Sequence, residues 1–171
     1  MKLVTPTEAI RAIPDGSTVI FPHGCVEPTT LYDAFHQEVE RFHNLTIYSG
    51  LAFGEYTFLR KGLGTNFRYM TWQAAPRIRQ IFKEKRAGFV PMRFSEITRI
   101  VNKDGPIKPD VVVTQVSPPQ EDGTVSLGIS VSLYQDFIKS AKLVIAEINT
   151  NMPVTGGDSR VPIDKIQLAV E

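Results

Sequence analysis

Residues 110–149, DVVVTQVSPPQEDGTVSLGISVSLYQDFIKSAKLVIAEIN, constrain the fold more than any other stretch of the chain. Val111, Val112, Val113 and Val116 make a compact β-branched run that fits a strand buried on both faces. Pro118 and Pro119 end it, because prolines remove backbone donors and bias the residue before them to extended geometry. Asp122-Gly123 supplies a turn, and residues 124–127 read as a short strand or extended loop returning toward the sheet. Leu133, Phe137, Ile138 and Ala141 then fall on one face at helical spacing, with Lys139 and Lys142 suited to the negative pole of the helix dipole. A second apolar strand follows at 142–148. Strand, polar loop, helix and strand make a crossover unit of a parallel sheet, which places residues 115–120 where open α/β sheets bind ligands.

A chain of 171 residues is one domain of ordinary size, able to bury roughly 70% of its unfolded surface and to fold alone. Its net charge of +1 gives no electrostatic reason to expect nucleic acid or an anionic membrane as partner. A single cysteine, Cys25, excludes an internal disulfide framework and a multi-cysteine metal site, and agrees with a reducing compartment. The N-terminus is too short and interrupted for a signal peptide, and no apolar run approaches the ~18 residues of a membrane span, so the chain reads as cytoplasmic.

Thr5-Pro6-Thr7-Glu8 starts a short helix with Ala9, Ile10 and Ile13 on its apolar side. Residues 18–21 are the first buried strand, running straight into the loop His23-Gly24-Cys25-Val26-Glu27-Pro28. Pro28 suits the first position of a helix over 28–42 with an apolar stripe of Leu31, Ala34, Phe35, Val39 and Phe42, whose N-terminus points at the glycine loop. Residues 45–49 are a second strand; residues 51–66 read as a loop with a short helix near 56–61, and residues 67–72 as a strand. Pro76 opens a helix with a basic outer face of Arg77, Arg79, Lys83, Lys85 and Arg86, which Gly88 is expected to close. A very short strand at 89–91 and a brief helix from Ser95 precede the organising unit. Residues 151–162 read as a surface loop or linker, and 161–170 as a last strand or short helix, with no stop signal at Glu171, as though cut from something longer.

Two loops are candidates for chemistry. Residues 23–28 have the strand, glycine and helix-start context that suits binding of an anion or carbonyl by backbone donors, although a plain strand-to-helix turn explains them as well. Cys25 is a nucleophile candidate at a helix start, set against the ordinary role of a small buried cysteine without a placed base. His23, His36 and His43 show no metal spacing. Of the carboxylates, Glu27, Glu55, Glu96, Glu121 and Glu147 are possible bases, but only Glu27 is placed near a candidate ligand site, where a structural cap is the simpler role. The basic face of the helix from Pro76 is most simply solvated. The Ser117-Pro118-Pro119 loop ends a central strand and is stiff, which fits a site and a scaffold equally.

Taken together, HGCVEP at 23–28, GFVPMRFSEI at 88–97, DVVVTQVSPPQEDGTVSLGISVS at 110–132 and AKLVIAEINTNMPVTGGDS at 141–159 resemble the N-terminal half of the acetyl-CoA hydrolase/transferase family, of the 4-hydroxybutyrate CoA-transferase kind. The resemblance runs over about residues 16–166, weakly at 51–66, and departs from the family pattern at Gln120-Glu121, where an aspartate usually follows the paired prolines. It implies a CoA-transferase-like domain: α/β, an open, mostly parallel sheet with helices on both faces. It also implies a two-domain enzyme, expected to be a homo-oligomer, that moves coenzyme A between an acyl-CoA and a short-chain carboxylate through a glutamyl-CoA intermediate. The family's nucleophilic glutamate and glycine-rich CoA loop lie in the C-terminal half, so no catalytic residue, metal or permanently bound cofactor is expected here, coenzyme A being a substrate. What remains is a pocket wall built from His23, Gly24, Cys25, Val26, Glu27, Pro28, Gln115, Ser117, Pro118 and Pro119, with Ser95 and Glu96 in support. Two rivals are a noncatalytic module holding a phosphorylated metabolite at the same strand ends, and a nonenzymatic assembly subunit.

Overall fold

The computed structural model describes every residue except Ala52 and Glu55, and the backbone but not the side chain of Arg77. The chain runs β1 (Lys2–Leu3), α1 (Pro6–Arg11), β2 (Thr18–Ile20), α2 (Thr29–Glu38), β3 (Leu45–Ser49), β4 (Phe67–Thr71), α3 (Pro76–Lys83), β5 (Ala87–Phe89), α4 (Ile97–Ile100), β6 (Val111–Val116), β7 (Thr124–Ser126), α5 (Tyr134–Ser140), β8 (Leu143–Ile148), β9 (Arg160–Pro162) and β10 (Leu168–Val170). Eight strands form one parallel sheet in the order β1-β10-β8-β6-β2-β3-β4-β5, and β7 and β9 pair antiparallel as a separate ribbon.

The organising unit is as expected. All six residues of β6 are buried, and β6 pairs with β8 from Val111↔Leu143 to Val116↔Ile148. The strand pleat sends alternate valines to opposite cores. Val111 and Val113 join Val19, Phe21, Ile47 and Tyr69 beneath α1, α2 and α3. Val112 and Val116 join Ile20, Val144 and Ala146 beneath α4, α5 and the ribbon. Helices therefore cover both faces, and each buried valine adds about 1.5–3 kcal/mol. At the N-terminus Thr5 and Glu8 close a reciprocal cap, Glu8 N–H donating to Thr5 Oγ1 at 3.2 Å and Thr5 N–H to Glu8 Oε2 at 2.8 Å.

Several details differ from the sequence expectations. Pro28 is the N-cap rather than the first residue of α2, which starts at Thr29 and ends in a 3₁₀ turn over Val39–Arg41. Gly88 does not close α3: Lys85, at φ 56°, makes the turn, and Gly88 sits inside β5 opposite Met70, where an added Cβ would lie 2.4 Å from the Met70 sulfur. Residues 124–126 return not to the main sheet but to β9, with Val125 opposite Val161. The expected short helix at 56–61 is a 3₁₀ turn over Thr57–Arg60. Of the two readings of the chain end the strand holds, as β10 inserted between β1 and β8, and Arg160–Pro162, expected in a loop or linker, form β9. No helix among the described residues is long and apolar enough to cross a membrane.

The sheet has one switch point. From β2 the chain winds outward through β3, β4 and β5; from β6 it winds the other way through β8 and β10. β2 and β6 are neighbours, paired at Val19↔Val111 and Ile20↔Val112, and their following segments leave toward opposite faces. The crevice outside the carboxyl ends of such a pair is where open α/β sheets place ligands.

Candidate functional site

The two loops singled out from sequence leave β2 and β6 at this switch point. Gly24 takes φ +75°, a left-handed conformation that any side chain would resist, and its N–H donates to Leu51 O at 2.7 Å. The loop is anchored beneath by Ser49 Oγ, donating to Pro22 O at 2.8 Å, and by His23 N–H, donating to the Tyr134 hydroxyl at 2.8 Å. Tyr134 is buried, and burial pushes its phenol well above the usual range, so it accepts this bond as a neutral hydroxyl.

His23 is only 6% exposed. Its ring packs edge-on to Trp72 at 6.2 Å and Phe94 at 5.9 Å, and tilted over Tyr134 at 5.5 Å. Burial lowers the imidazole pKa, so the ring is neutral near pH 7. His23 Nδ1 and Trp72 Nε1 are buried without a hydrogen-bond partner among the described residues, two unsatisfied groups side by side at the strand ends.

Cys25 is a free, exposed thiol on the crest of the loop, not the buried residue that one reading allowed. With Gly24, Glu27 and Phe53 it lines an open concavity of 380 Å³. Glu27 Oε1 accepts from the N–H groups of Phe53 at 2.8 Å and Gly54 at 2.9 Å, so its carboxylate shapes the opposite wall rather than capping α2. Val26 and Pro28 are buried beneath the loop.

From β6, Gln115 meets this loop directly, its Nε2 donating to Glu27 O at 3.4 Å and to Glu147 Oε1 at 3.2 Å. Ser117 is buried and occupied: its hydroxyl donates to Pro118 O at 2.9 Å and accepts from Ser126 N–H at 2.9 Å, so it fixes the turn and does not face the crevice. Pro118 is half-buried and Pro119 exposed. Glu96 holds its own turn, accepting from Arg93 N–H at 3.3 Å and pairing with Arg99 at 3.2 Å, while the neighbouring Phe94 is the residue that reaches His23. Ser95 is exposed. Glu55 lies outside the described residues, and Glu121 is exposed beside the Asp122-Gly123 turn.

Sequence reasoning missed Trp72, Tyr134, Phe53 and Phe94. Trp72 and Phe94 each follow the end of a parallel strand, β4 and β5, and that position is the signal that marks them. Tyr134 lies 111 residues from His23, and nothing local announces the contact. Phe53 and Phe94 are about half exposed, as are Ile129 and Val154 on the loops beyond β7 and β8.

These features define an open parallel α/β domain with a crevice at its switch point, lined by Gly24, Cys25, Glu27 and the half-exposed Phe53. The sequence matches the acetyl-CoA hydrolase/transferase N-terminal domain over residues 1–171, and the chain belongs to that family. It is 34% identical to a 4-hydroxybutyrate coenzyme A transferase of Clostridium kluyveri over 170 residues, covering 99% of this chain and 39% of that protein. A succinyl-CoA:cyclohexane-1-carboxylate CoA transferase of Geobacter metallireducens is 26% identical, with 99% of this chain and 38% of that protein covered. The crystal structure of RipA from Yersinia pestis superposes with a TM-score of 0.89 at 25% identity, over 99% of this chain and 42% of RipA. The chain thus spans about two fifths of the length of the relatives it matches.

Proposed function

We propose that this chain is the N-terminal domain of a cytoplasmic, homo-oligomeric enzyme that transfers coenzyme A between an acyl-CoA and a short-chain carboxylate. The observation that carries the reading is the switch-point crevice lined by Gly24, Cys25, Glu27 and Phe53, with His23 and Gln115 buried behind it and the half-exposed Phe53 suiting a face that another domain covers. Family membership and the coverage of about two fifths of each relative support a C-terminal half as that cover.

In this reading a glutamate outside the 171 residues attacks the thioester carbonyl, forming an acyl-glutamyl anhydride and releasing the CoA thiolate. The thiolate then attacks the glutamyl carbonyl, freeing the first carboxylate and leaving a glutamyl-CoA thioester. The second acid attacks that thioester, expelling the CoA thiolate and forming a second acyl-glutamyl anhydride; the thiolate then attacks the new acyl carbonyl, giving the product acyl-CoA and releasing the glutamate carboxylate. Residues 23–28, Gln115 and the Pro118-Pro119 turn wall the acyl and carboxylate pocket, with the turn at Ser95 and Glu96 holding Phe94 against His23. Coenzyme A enters as a substrate, and no resident cofactor takes part.

The test is CoA exchange between acetyl-CoA and a panel of short carboxylates, run on this chain and on the full-length polypeptide in parallel. Activity in the longer protein alone is expected. Turnover by the 171-residue chain by itself refutes the external nucleophile and returns attention to Glu27 and Cys25. Silence from both favours a ligand-binding module.

A further inference from the structure

The end of β8 carries a buried carboxylate, Glu147, that this chemistry does not use. Pro28, at the N-cap of α2, offers the first turn no side-chain hydrogen bond. Free amides at a helix start need acceptors. Glu147 supplies one from β8, its Oε2 accepting from Leu31 N–H at 3.1 Å while its Oε1 takes the Gln115 side-chain amide at 3.2 Å. The same Gln115 nitrogen reaches Glu27 O at 3.4 Å, and Gln115 Oε1 accepts from Asn149 Nδ2 at 3.0 Å. Side chains from two strand ends therefore grip the helix start on both sides of Pro28, at the Glu27 carbonyl before it and the Leu31 amide after it.

Glu147 is buried and has no cationic partner among the described residues. A Ser, Thr or Asp at the N-cap would satisfy a helix start locally, whereas an ionised carboxylate taken out of water is costly unless fully bonded. What Glu147 does that a local cap cannot is join α2 to β8 and, through Gln115, to β6 across the switch point. The consequence reaches the pocket wall, because Glu27 in turn holds the amides of Phe53 and Gly54.

We propose that Glu147 is a positioning residue, fixing residues 23–28 and, through Glu27, residues 53–54 in the arrangement that receives the carboxylate substrate. The kinetic side of this proposal rests on the CoA-transfer reading; the geometric side does not.

The experiment uses the full-length polypeptide with Glu147→Gln, Gln115→Glu and the double swap, and Val125→Ala as a destabilised control. Two quantities are read: hydrogen exchange at the Phe53 and Gly54 amides, and KM for acetate and for acetyl-CoA with kcat. In Glu147→Gln the new amide nitrogen faces the Gln115 donor. Exchange at 53–54 then accelerates and KM for acetate rises about tenfold, the factor that 1.4 kcal/mol represents, with a smaller rise in KM for acetyl-CoA, which its CoA moiety also holds. The double swap restores a donor facing an acceptor between positions 115 and 147 but not the bond from 115 to Glu27 O, so both readouts recover in part, to values better than in Gln115→Glu. A folded Glu147→Gln protein with wild-type exchange and KM overturns the proposal. So does acceleration spread over the whole domain and matched by Val125→Ala, which is what a merely structural role produces. Should Glu147→Gln fail to fold, the swap decides alone: protection at 53–54 above that of Gln115→Glu supports the proposal, and protection no better than in Gln115→Glu overturns it. A wild-type enzyme without CoA exchange defeats the functional reading, and amide exchange still decides the role of Glu147.

Discussion

Tyr134→Phe removes one oxygen from a fully buried position, and the structure says what that oxygen holds. The hydroxyl accepts from His23 N–H at 2.8 Å, whereas the ring contacts to His23 at 5.5 Å and Phe137 at 5.8 Å survive in phenylalanine. The loss is therefore that of a buried donor left unsatisfied, worth about 1–3 kcal/mol. For a domain of this size 1 kcal/mol moves the midpoint by about 2–4 °C, so Tm should fall by about 2–12 °C. Tyr69→Phe is the matched comparison. Tyr69 is equally buried, and its hydroxyl lies near those of Ser49 and Thr71 without a well-aligned bond. Deleting that oxygen strands no partner, and Tm should stay within about 2 °C of wild type. Thermal unfolding of the 171-residue chain followed by circular dichroism measures both. Equal losses, or the larger loss in Tyr69→Phe, would refute the reasoning that the anchored amide at His23 sets the cost.

Two further outcomes follow from geometry already described. Because burial depresses the His23 pKa, the unfolded chain takes up this proton first as pH falls through 6.5; stability contributed above 6.5 is lost on acidification, and pH-dependent unfolding should show a shallower acid-side decline in His23→Asn. Gly128→Ala places a Cβ at φ +57°, 2.2 Å from the sulfur of buried Met152 and 3.0 Å from Pro153 O, so denaturant unfolding should register a loss of about 2 kcal/mol or more.

The crossover from β6 to β8, the helix start at Thr5 to Glu8 and the glycine turn at Gly24 were legible because each is encoded in one continuous stretch of chain. The same locality explains the misreading of Gly88. A glycine shortly after a basic helix looks like its stop, but the reason for this one lies on the neighbouring strand, in the Met70 side chain. Likewise β7 carries its alternation openly, while the identity of its partner depends on β9, with Thr124 opposite Pro162. At the site, periodicity located both loops but not their relation. The contacts that join them, Gln115 to Glu27 across 88 residues and Glu147 to Leu31 across 116, exist only once the strand order is known. Ser117 shows the complementary limit: its place at a strand end was right, and its hydroxyl is consumed by the turn that the two prolines make.

The position of β10 bears on how the chain is made as well as how it is held. Lys2 and Leu3 find their parallel partners only in Leu168 and Ala169, and β10 at the same time completes the open side of β8. At roughly 5–20 residues per second of synthesis, β1 leaves the ribosome some ten to thirty seconds before the strand it needs. A nascent chain can assemble β2 through β8 in the interval, with one flank of β8 still bare. Ribosome-bound intermediates stalled before Leu168 should therefore keep Lys2 and Leu3 accessible to protease, because β1 is seated only when β10 arrives.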